Sequence, residues 1–474
     1  MRSVWRVFLL TALWLPIEAI AQQPPDTSTS TAPPLPVEHT PPPGPFYPGL
    51  PKSPTRLQAT LGDFIVRFYG TILLNINANL GAEVGEDVPL WPLPGSSTVS
   101  FPNGTTKRAG SVDDTIFTAR QSIFGLQVTE AKTYLGWTAS GLAEIDFFGA
   151  RPVDPTFQPQ DRVLNQPRLR RAYLQLDRGT WRIVAGQDNI IISPLDPISL
   201  SHVAMPLGAS AGDLWGWLPQ LRVENREKVG DGSILFQVGI LRPSFGDPRL
   251  SDQSGLEGNA IDGTFAGYGE RSGQPFYQAR VAYSLPIEGR NFTIGSGGHY
   301  GVEQVGANTQ VDSWAYTLDL VMPFSKYFIF RGEGYVGSNL VPFDGGIIQG
   351  VAFVAPVVSS TGVITTPAKI QKIGDGGGWV EAIIPVSSDN KNVLYAGAGT
   401  DHPKERDLLP GTTRTRNSFI WASYFHKITP AVTTAFEWSY WNFQTTTVSA
   451  NGELGPRGTP GRGNVINLSI AYQF

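Results

Sequence analysis

The stretch Asn464-Val-Ile-Asn-Leu-Ser-Ile-Ala-Tyr-Gln-Phe474 alternates polar and apolar side chains. Successive side chains of an extended strand point to opposite faces, so one face carries Ile466, Leu468, Ile470, Tyr472 and Phe474. The other face carries Asn467, Ser469, Ala471 and Gln473. An apolar face that runs to a final aromatic residue indicates contact with lipid, and aromatic residues are typical of the membrane interface. The alternative is an edge or core strand of a soluble sandwich.

Residues 1–21 are predicted to be a cleavable secretory signal peptide. Arg2 and Arg6 precede an apolar run that starts at Val7, and Ala19-Ile-Ala21 supplies the small residues of a cleavage site. The run is too short for a transmembrane anchor, because a spanning helix needs about 20 apolar residues. The chain is therefore expected to leave the cytoplasm, and to cross a membrane only as a closed β-barrel.

The composition excludes several classes of function. The chain of 474 residues contains 53 Gly and 39 Pro but no Cys, so neither a disulfide framework nor a catalytic or metal-binding thiolate is available. The net charge of −4 is too small to predict a nucleic-acid partner. The five His residues have neither the spacing of a Ser/His/acid triad nor that of a metal site. We therefore expect no enzyme activity, no catalytic residues, no metal and no cofactor.

Residues 22–60 form a separate region that is rich in Pro, Ser and Thr, as in Thr40-Pro-Pro-Pro-Gly-Pro45. Such a composition cannot bury a core, so this region is predicted to be a disordered periplasmic segment with polyproline II character. A role as a spacer that touches a periplasmic partner is the alternative to a simple unstructured leader.

Residues 61–474 repeat one theme: a segment of about ten residues that alternates in polarity, then a turn or a Gly/Pro-rich loop. The segments lie around 68–79, 116–128, 137–147, 169–176, 181–187, 220–225, 234–241, 276–283, 291–300, 313–322, 328–336, 379–384, 392–400, 418–425, 433–443 and 464–474. The predicted fold class is all-β, a transmembrane antiparallel β-barrel of about sixteen strands.

The connections between these segments alternate in length. Asp177–Thr180 is short and the following connection, 188–219, is long; Lys427–Pro430 is short and Gln444–Gly463 is long. Short periplasmic turns and long outer loops produce this rhythm, whereas a soluble sandwich does not. A bulge at either of two Gly clusters, 295–298 or 376–378, would reset the alternation of the faces.

Charged residues inside the strands are assigned to the lumen, since Arg or Lys on the lipid face costs about 2–4 kcal/mol at the midplane. The pore-lining candidates are Arg120, Glu144, Asp146, Arg171, Arg222, Glu224, Arg280, Asp319, Arg331, Glu333 and Glu437. Opposed clusters of these charges would orient or select solutes. Alternatively, the same residues pair with one another and brace the barrel wall.

The connection 188–219 is the candidate constriction loop. It is less polar than an exposed loop should be, and three Pro residues, at 194, 197 and 206, stiffen it. We expect it to fold against the inner wall and to present Asp188, Asp196 and His202 to solutes. A lid over the external mouth is the alternative.

Five motifs together resemble the general porin superfamily of Gram-negative bacteria, and are most similar to the DcaP-like porins. They are Thr118–Leu126, Arg168–Leu176, Gly186–Asn189, Pro219–Val223 and Arg331–Tyr335. The resemblance implies a homotrimeric barrel of sixteen strands in outer-membrane lipid, with its third external loop folded inside. It also implies passive diffusion of small hydrophilic or anionic solutes. Tyr472 and Phe474 would then be the signal for the barrel-assembly machinery.

Two other functions remain open at this point. One is a secreted, soluble, β-rich binding protein. The other is a structural or adhesive outer-membrane barrel, since the outer loops are long.

Overall fold

The computed structural model describes residues 57–85, 87–149, 166–245, 267–306, 308–354, 357–359, 361–362, 364–366, 369–408, 411–449 and 453–474. The predicted signal peptide and residues 22–56 of the Pro-rich segment lie outside the described residues. The described part begins with strand Leu57–Leu61, which pairs with the first barrel strand. Residues 57–60, which composition assigns to the Pro-rich segment, therefore belong to the sheet.

Sixteen antiparallel strands form the barrel wall, and each pairs with its neighbours in chain order. They are β1 (Phe64–Leu80), β2 (two segments, Asp113–Thr118 and Ile123–Glu130), β3 (Thr138–Gly149), β4 (Gln166–Arg178), β5 (Trp181–Asn189), β6 (Trp217–Val229), β7 (Gly232–Leu241), β8 (Phe276–Ile287), β9 (Arg290–Gly306), β10 (Thr309–Ser325), β11 (Phe328–Ser338), β12 (Gly374–Pro385), β13 (Asn392–Asp401), β14 (Gly411–Lys427), β15 (Val432–Val448) and β16 (Gly461–Gln473). Every one overlaps a segment predicted from alternation, so the predicted fold class is confirmed.

The remaining elements are short. Small strands are Glu83–Val84, Trp91–Pro92, Thr98–Ser100, Thr106–Arg108, Val351–Val354, Val357–Val358, Ile364–Thr366, Lys369–Lys372 and Leu454–Arg457. Helical turns are Ala109–Ser111, Tyr268–Arg271, Val341–Phe343, Gly345–Ile348 and Glu405–Asp407. No helix in the described ranges is both long and apolar enough to cross a membrane.

Connections differ in length between the two ends of the barrel. At one end they are short turns, such as 179–180 and 230–231, and the longest of them is 131–137. At the other end they include 190–216 and 339–373. The two-residue connection 307–308 departs from this rhythm. With that exception, the observed lengths match the predicted alternation of short turns and long outer loops.

The alternation of β16 separates an apolar outer face from a buried inner face. Leu468, Ile470 and Tyr472 are 44%, 43% and 46% exposed, whereas Asn467 and Ser469 are buried. A row of half-exposed apolar side chains around a closed sheet is the surface that a lipid bilayer covers. The polar row faces inward, where it hydrogen-bonds to β1: Asn75 Oδ1 accepts from the Ser469 hydroxyl (2.6 Å).

Ring closure takes place between β16 and β1, in a register that runs from Thr71↔Gln473 to Leu80↔Asn464. Beyond it, Phe474 and Gly70 exchange two backbone hydrogen bonds of 3.2 Å. The Phe474 ring lies 5.5 Å from the Phe68 ring. Gly70 is required here, because a Cβ atom would lie 2.7 Å from the Phe474 ring and 2.6 Å from a neighbouring carbonyl oxygen.

The two Gly clusters, 295–298 and 376–378, do not shift the strand register, but other positions do. Pairing runs without interruption through 295–298 and through 376–378, so neither cluster resets the alternation. In β4, by contrast, the pairing shifts between Leu169 and Arg171. The shift turns both Arg170 and Arg171 toward the interior, where they are 0% and 6% exposed.

Candidate functional site: the lumen and its inner loop

The third long connection, residues 190–216, lies inside the barrel, and we call it the inner loop. Its Ile198 N–H donates to Glu381 of β12 (2.9 Å), and its Ile192 carbonyl accepts from the Thr317 hydroxyl of β10 (2.6 Å). On the far side its Ser199 hydroxyl donates to Glu437 of β15 (3.0 Å). The loop is therefore fixed to several sides of the wall at once.

Three wall glutamates hold the inner loop. Glu333 accepts hydrogen bonds from the Ser193 hydroxyl and from the Leu195 N–H (2.8 Å). Glu437 lies 2.5 Å from the Ser201 hydroxyl oxygen, and Glu381 holds the Ile198 N–H. Glu333 and Glu437 are pore-lining candidates from the sequence. Glu381 is a further such residue that the sequence analysis missed, although its position between Val380 and Ala382 in an alternating strand marked it as inward-facing.

Apolar packing seals the loop against β12–β16. A buried cluster joins loop residues to aromatic side chains that face inward from the wall: Leu207, Ala211, Trp379, Phe419, Trp421, Trp441 and Val465. A second cluster joins Ile198, Leu200 and Val203 of the loop to Leu73, Tyr395 and Phe425, among others. A hydrophobic core therefore fills the space between the loop and this part of the wall.

A ladder of charges crosses β4–β6. Asp188 accepts from Arg171 Nε (2.7 Å) and from Arg222 Nη2 (2.9 Å), and Arg222 also pairs with Glu224 (2.6 Å). Arg182 pairs with Asp177 further along the same wall (2.8 Å). The sequence placed Asp188 in the constriction loop, but it belongs to β5, one residue before that strand ends. It contributes to the wall, not to the loop.

The other candidate pairs are equally close. Arg280 donates twice to Asp319 (2.8 and 2.7 Å). Arg331 donates to Glu381 (2.6 Å) and also to the Asp196 backbone carbonyl. All eleven pore-lining candidates have a partner in the wall or in a loop. Besides the pairs already described, Arg120 pairs with Asp87, Glu144 with Arg170, and Asp146 with Arg168 and Arg170. Glu333 and Glu437 bind the inner loop.

Arg120 does not lie in a regular strand. It lies between the two segments of β2, where Asp87 of the first outer loop holds it, and its guanidinium lies 3.6 Å from the centre of the Phe148 ring. Arg168 also contacts Phe148, at 5.2 Å, and Trp217, at 4.9 Å. The Arg120 and Arg168 side chains are 15% and 24% exposed, while Asp87 and Asp146 behind them are buried. Guanidinium groups and aromatic rings are thus combined at this point of the wall.

Of the two remaining loop candidates, His202 is fully enclosed. Its Nε2 lies 3.0 Å from the Pro89 carbonyl, so this nitrogen carries the proton, and Nδ1 lies 2.7 Å from the Ser201 hydroxyl. Burial lowers the pKa of His202 to about 4, which keeps the ring neutral at pH 7. Burial raises the pKa of Asp196 to about 6, although Arg331 opposes this shift. At pH 7, therefore, His202 is neutral, whereas Asp196 is mostly ionised and interacts with the positive charge of Arg331.

Two outer loops cover the external side of the inner loop. The Trp215 N–H donates to the Phe343 carbonyl (3.1 Å), and Ile347 packs in a cluster with Trp91 and Phe443. Ile347 has a φ of 51°, and Asp375 and Asp401 accept from the N–H groups of this turn (2.7 and 3.0 Å). A left-handed conformation at a β-branched residue is costly, so these contacts hold the turn in place.

Within the described ranges, no group of three His, Asp or Glu residues is arranged to hold a metal ion. The expectation that the chain has no catalytic residues, metal or cofactor stays a prediction.

The fold is that of a sixteen-stranded porin of the bacterial outer membrane. The chain is similar to the outer-membrane channel DcaP of Acinetobacter baumannii, with 13% identity, 88% of this chain and 99% of that chain covered, and a TM-score of 0.59. It is also similar to an anion-selective porin from Comamonas acidovorans, with 13% identity, 87% and 100% covered, and a TM-score of 0.50. No protein-family model and no curated protein matches it.

Proposed function

We propose that the chain is a porin of the Gram-negative outer membrane, through which small hydrophilic solutes diffuse passively. The observation that supports this most strongly is the inner loop, which is anchored inside a closed sixteen-stranded barrel whose outer face is apolar. A loop in this place narrows a channel and sets the size of the solutes that pass. The apolar outer face also argues against a secreted soluble binding protein.

Charge pairing supports a channel with modest ion selectivity. The lumen charges of β4–β6 alternate in sign and lie within hydrogen-bond distance of each other, so their fields largely cancel beyond the pair. The guanidinium groups of Arg120 and Arg168, which are partly exposed in front of their buried carboxylate partners, favour anions at one point of the wall. We propose that small anionic solutes pass, with a weak rather than a strong preference over cations.

A homotrimer in outer-membrane lipid, assembled by the barrel-assembly machinery, completes the proposal. The trimer would cover part of the apolar outer face. Crosslinking of the detergent-solubilised protein tests this part independently of transport.

The decisive experiment is conductance of the purified, full-length protein in planar bilayers. Discrete channel steps in potassium chloride, with a small reversal potential toward anions in a salt gradient, are the expected result. If a barrel that shows the heat-dependent gel shift of a folded outer-membrane protein gives no steps in several salts and at several voltages, the porin proposal is refuted. The structural or adhesive barrel would then be the better assignment.

A further inference from the structure

Strand β2 is interrupted where its neighbour β1 is continuous. Thr118 pairs with Asn75 and Ile123 pairs with Thr71, so the stretch 119–122 adds one residue more than the partner strand can match. The break leaves Leu73, in the middle of β1, without a ladder partner on the β2 side, although Leu73 still pairs with Ala471 of β16. The Ser122 hydroxyl replaces that partner by accepting from the Leu73 N–H (3.0 Å). A β-bulge whose lost hydrogen bond is replaced by a side chain in this way is a specific feature of the wall and not a defect.

Gln121 lies in this break, and its side chain reaches the inner loop. It is 0% exposed. Its Oε1 accepts from two consecutive backbone N–H groups of the loop, those of Val203 (2.7 Å) and Ala204 (2.9 Å). Its Nε2 donates to the Ser201 carbonyl (2.8 Å). One amide therefore satisfies three backbone groups of a four-residue stretch of loop.

The carbonyl groups of the same stretch are held from β4. Arg170 donates to the Val203 carbonyl (3.0 Å) and Arg168 to the Ala204 carbonyl (2.6 Å). A side-chain amide carries its acceptor and its donor on two separate atoms without a charge, so neither a carboxylate nor an aliphatic side chain can replace it fully. Buried backbone groups that lose such partners are costly.

We propose that Gln121 is a positioning residue for residues 201–204 of the inner loop, and that the interruption of β2 directs its side chain into the lumen. The proposal rests on the proposed channel function. Without Gln121, loop residues 201–204 lose their attachment to the wall near β2, and the free cross-section on that side of the lumen grows and fluctuates.

The test compares Gln121→Met, which keeps the volume and loses all three bonds, with Gln121→Glu, which keeps the acceptor and loses the donor. Gln127→Met, on the same strand and half-buried, is the control. The readouts are hydrogen exchange of the Val203 and Ala204 amides and open-channel noise. In Gln121→Met we expect exchange about 10- to 100-fold faster at these amides and greater noise. Gln121→Glu should leave exchange at both amides within a few-fold of wild type, and the control should change neither readout.

The outcomes separate the two proposals. If wild type conducts and Gln121→Met matches it in both readouts, the positioning role is refuted. If Gln121→Met does not fold, the shorter amide in Gln121→Asn decides: faster exchange confined to Val203 and Ala204 supports the role, and exchange at both amides as slow as in wild type refutes it. If no variant conducts, yet exchange changes only at these amides, the anchor stands and the channel function fails.

Discussion

The charge ladder on β4–β6 makes Asp188→Asn the most informative single substitution. Asp188 is 2% exposed, and its two carboxylate oxygens serve two different arginines, Arg171 on β4 and Arg222 on β6. The substitution keeps the shape of the side chain and removes its charge. An amide can accept from one guanidinium, but its NH₂ group then faces the other, donor against donor.

The expected loss of unfolding free energy depends on which partners each arginine keeps after the substitution. Arg222 retains Glu224 at 2.6 Å, whereas Arg171 retains the neutral Tyr173 hydroxyl at 3.2 Å and the more distant charge of Glu144. Two unit charges about 4 Å apart interact by about 4 kcal/mol at an effective dielectric constant near 20. Breaking a buried pair from one side costs about 3–5 kcal/mol. We therefore expect the barrel to lose about 3–5 kcal/mol of unfolding free energy.

The assay is a urea titration of the barrel in detergent micelles, read by the gel shift between folded and unfolded forms. The control is Asp63→Asn, which removes the exposed pair with Lys132 and should cost at most about 1 kcal/mol. The double variant with Arg171→Gln should recover part of the loss, because it removes the orphaned cation. If Asp188→Asn lowers the unfolding free energy by less than about 1 kcal/mol, water must screen the charges of the ladder, and the reasoning is refuted. In bilayers, the same variant should shift the reversal potential toward anions.

Three further predictions concern closure, packing and pH. Deletion of Phe474 removes two hydrogen bonds to Gly70 and a ring contact with Phe68, so we expect a several-fold lower yield of heat-modifiable barrel with unchanged conductance per assembled channel, measured by gel shift and bilayer recording. Gly125→Ala places a Cβ atom 2.1 Å from the Tyr69 ring, whose hydroxyl donates to Glu144, so overpacking should cost about 1–3 kcal/mol in the urea titration. Burial raises the pKa of Asp196 to about 6, so the packed inner loop favours its neutral form; that stabilisation is complete below about pH 4 and is lost as pH rises through 6. Open-channel noise should therefore increase from pH 4 to 6 in wild type and stay flat in Asp196→Asn.

The strands could be predicted from the sequence because alternation reports directly on a two-faced wall. On β16 the predicted faces are the observed ones, since lipid and lumen select opposite side chains at every second residue. The same logic failed at β4, where a bulge turns Arg170 inward beside Arg171. Only the run of basic residues from Arg168 to Arg171 hinted at it. Periodicity cannot indicate a bulge that inserts one residue.

Contacts of the loops could not be predicted in the same way, because they join residues far apart in the chain. Glu437 meets Ser199, and Asn417 donates to the Leu90 carbonyl across more than three hundred residues. The stiff, partly apolar composition of the inner loop indicated that it is packed, but not which wall covers it. Gln121 had no recognisable signal, since a single polar residue between two strand segments is common.

The distribution of contacts over the inner loop determines which side of the lumen can open. Against β12–β16 the loop is held both by apolar packing of side chains such as Leu207 and Trp379 and by hydrogen bonds to Glu381 and Glu437. Against β2–β4 it is held by separate hydrogen bonds from Gln121, Arg168 and Arg170, and each can be exchanged for water. If the chain is a channel as proposed, we expect water and solute to enter most readily on the β2–β4 side, where Arg120 and Arg168 are partly exposed.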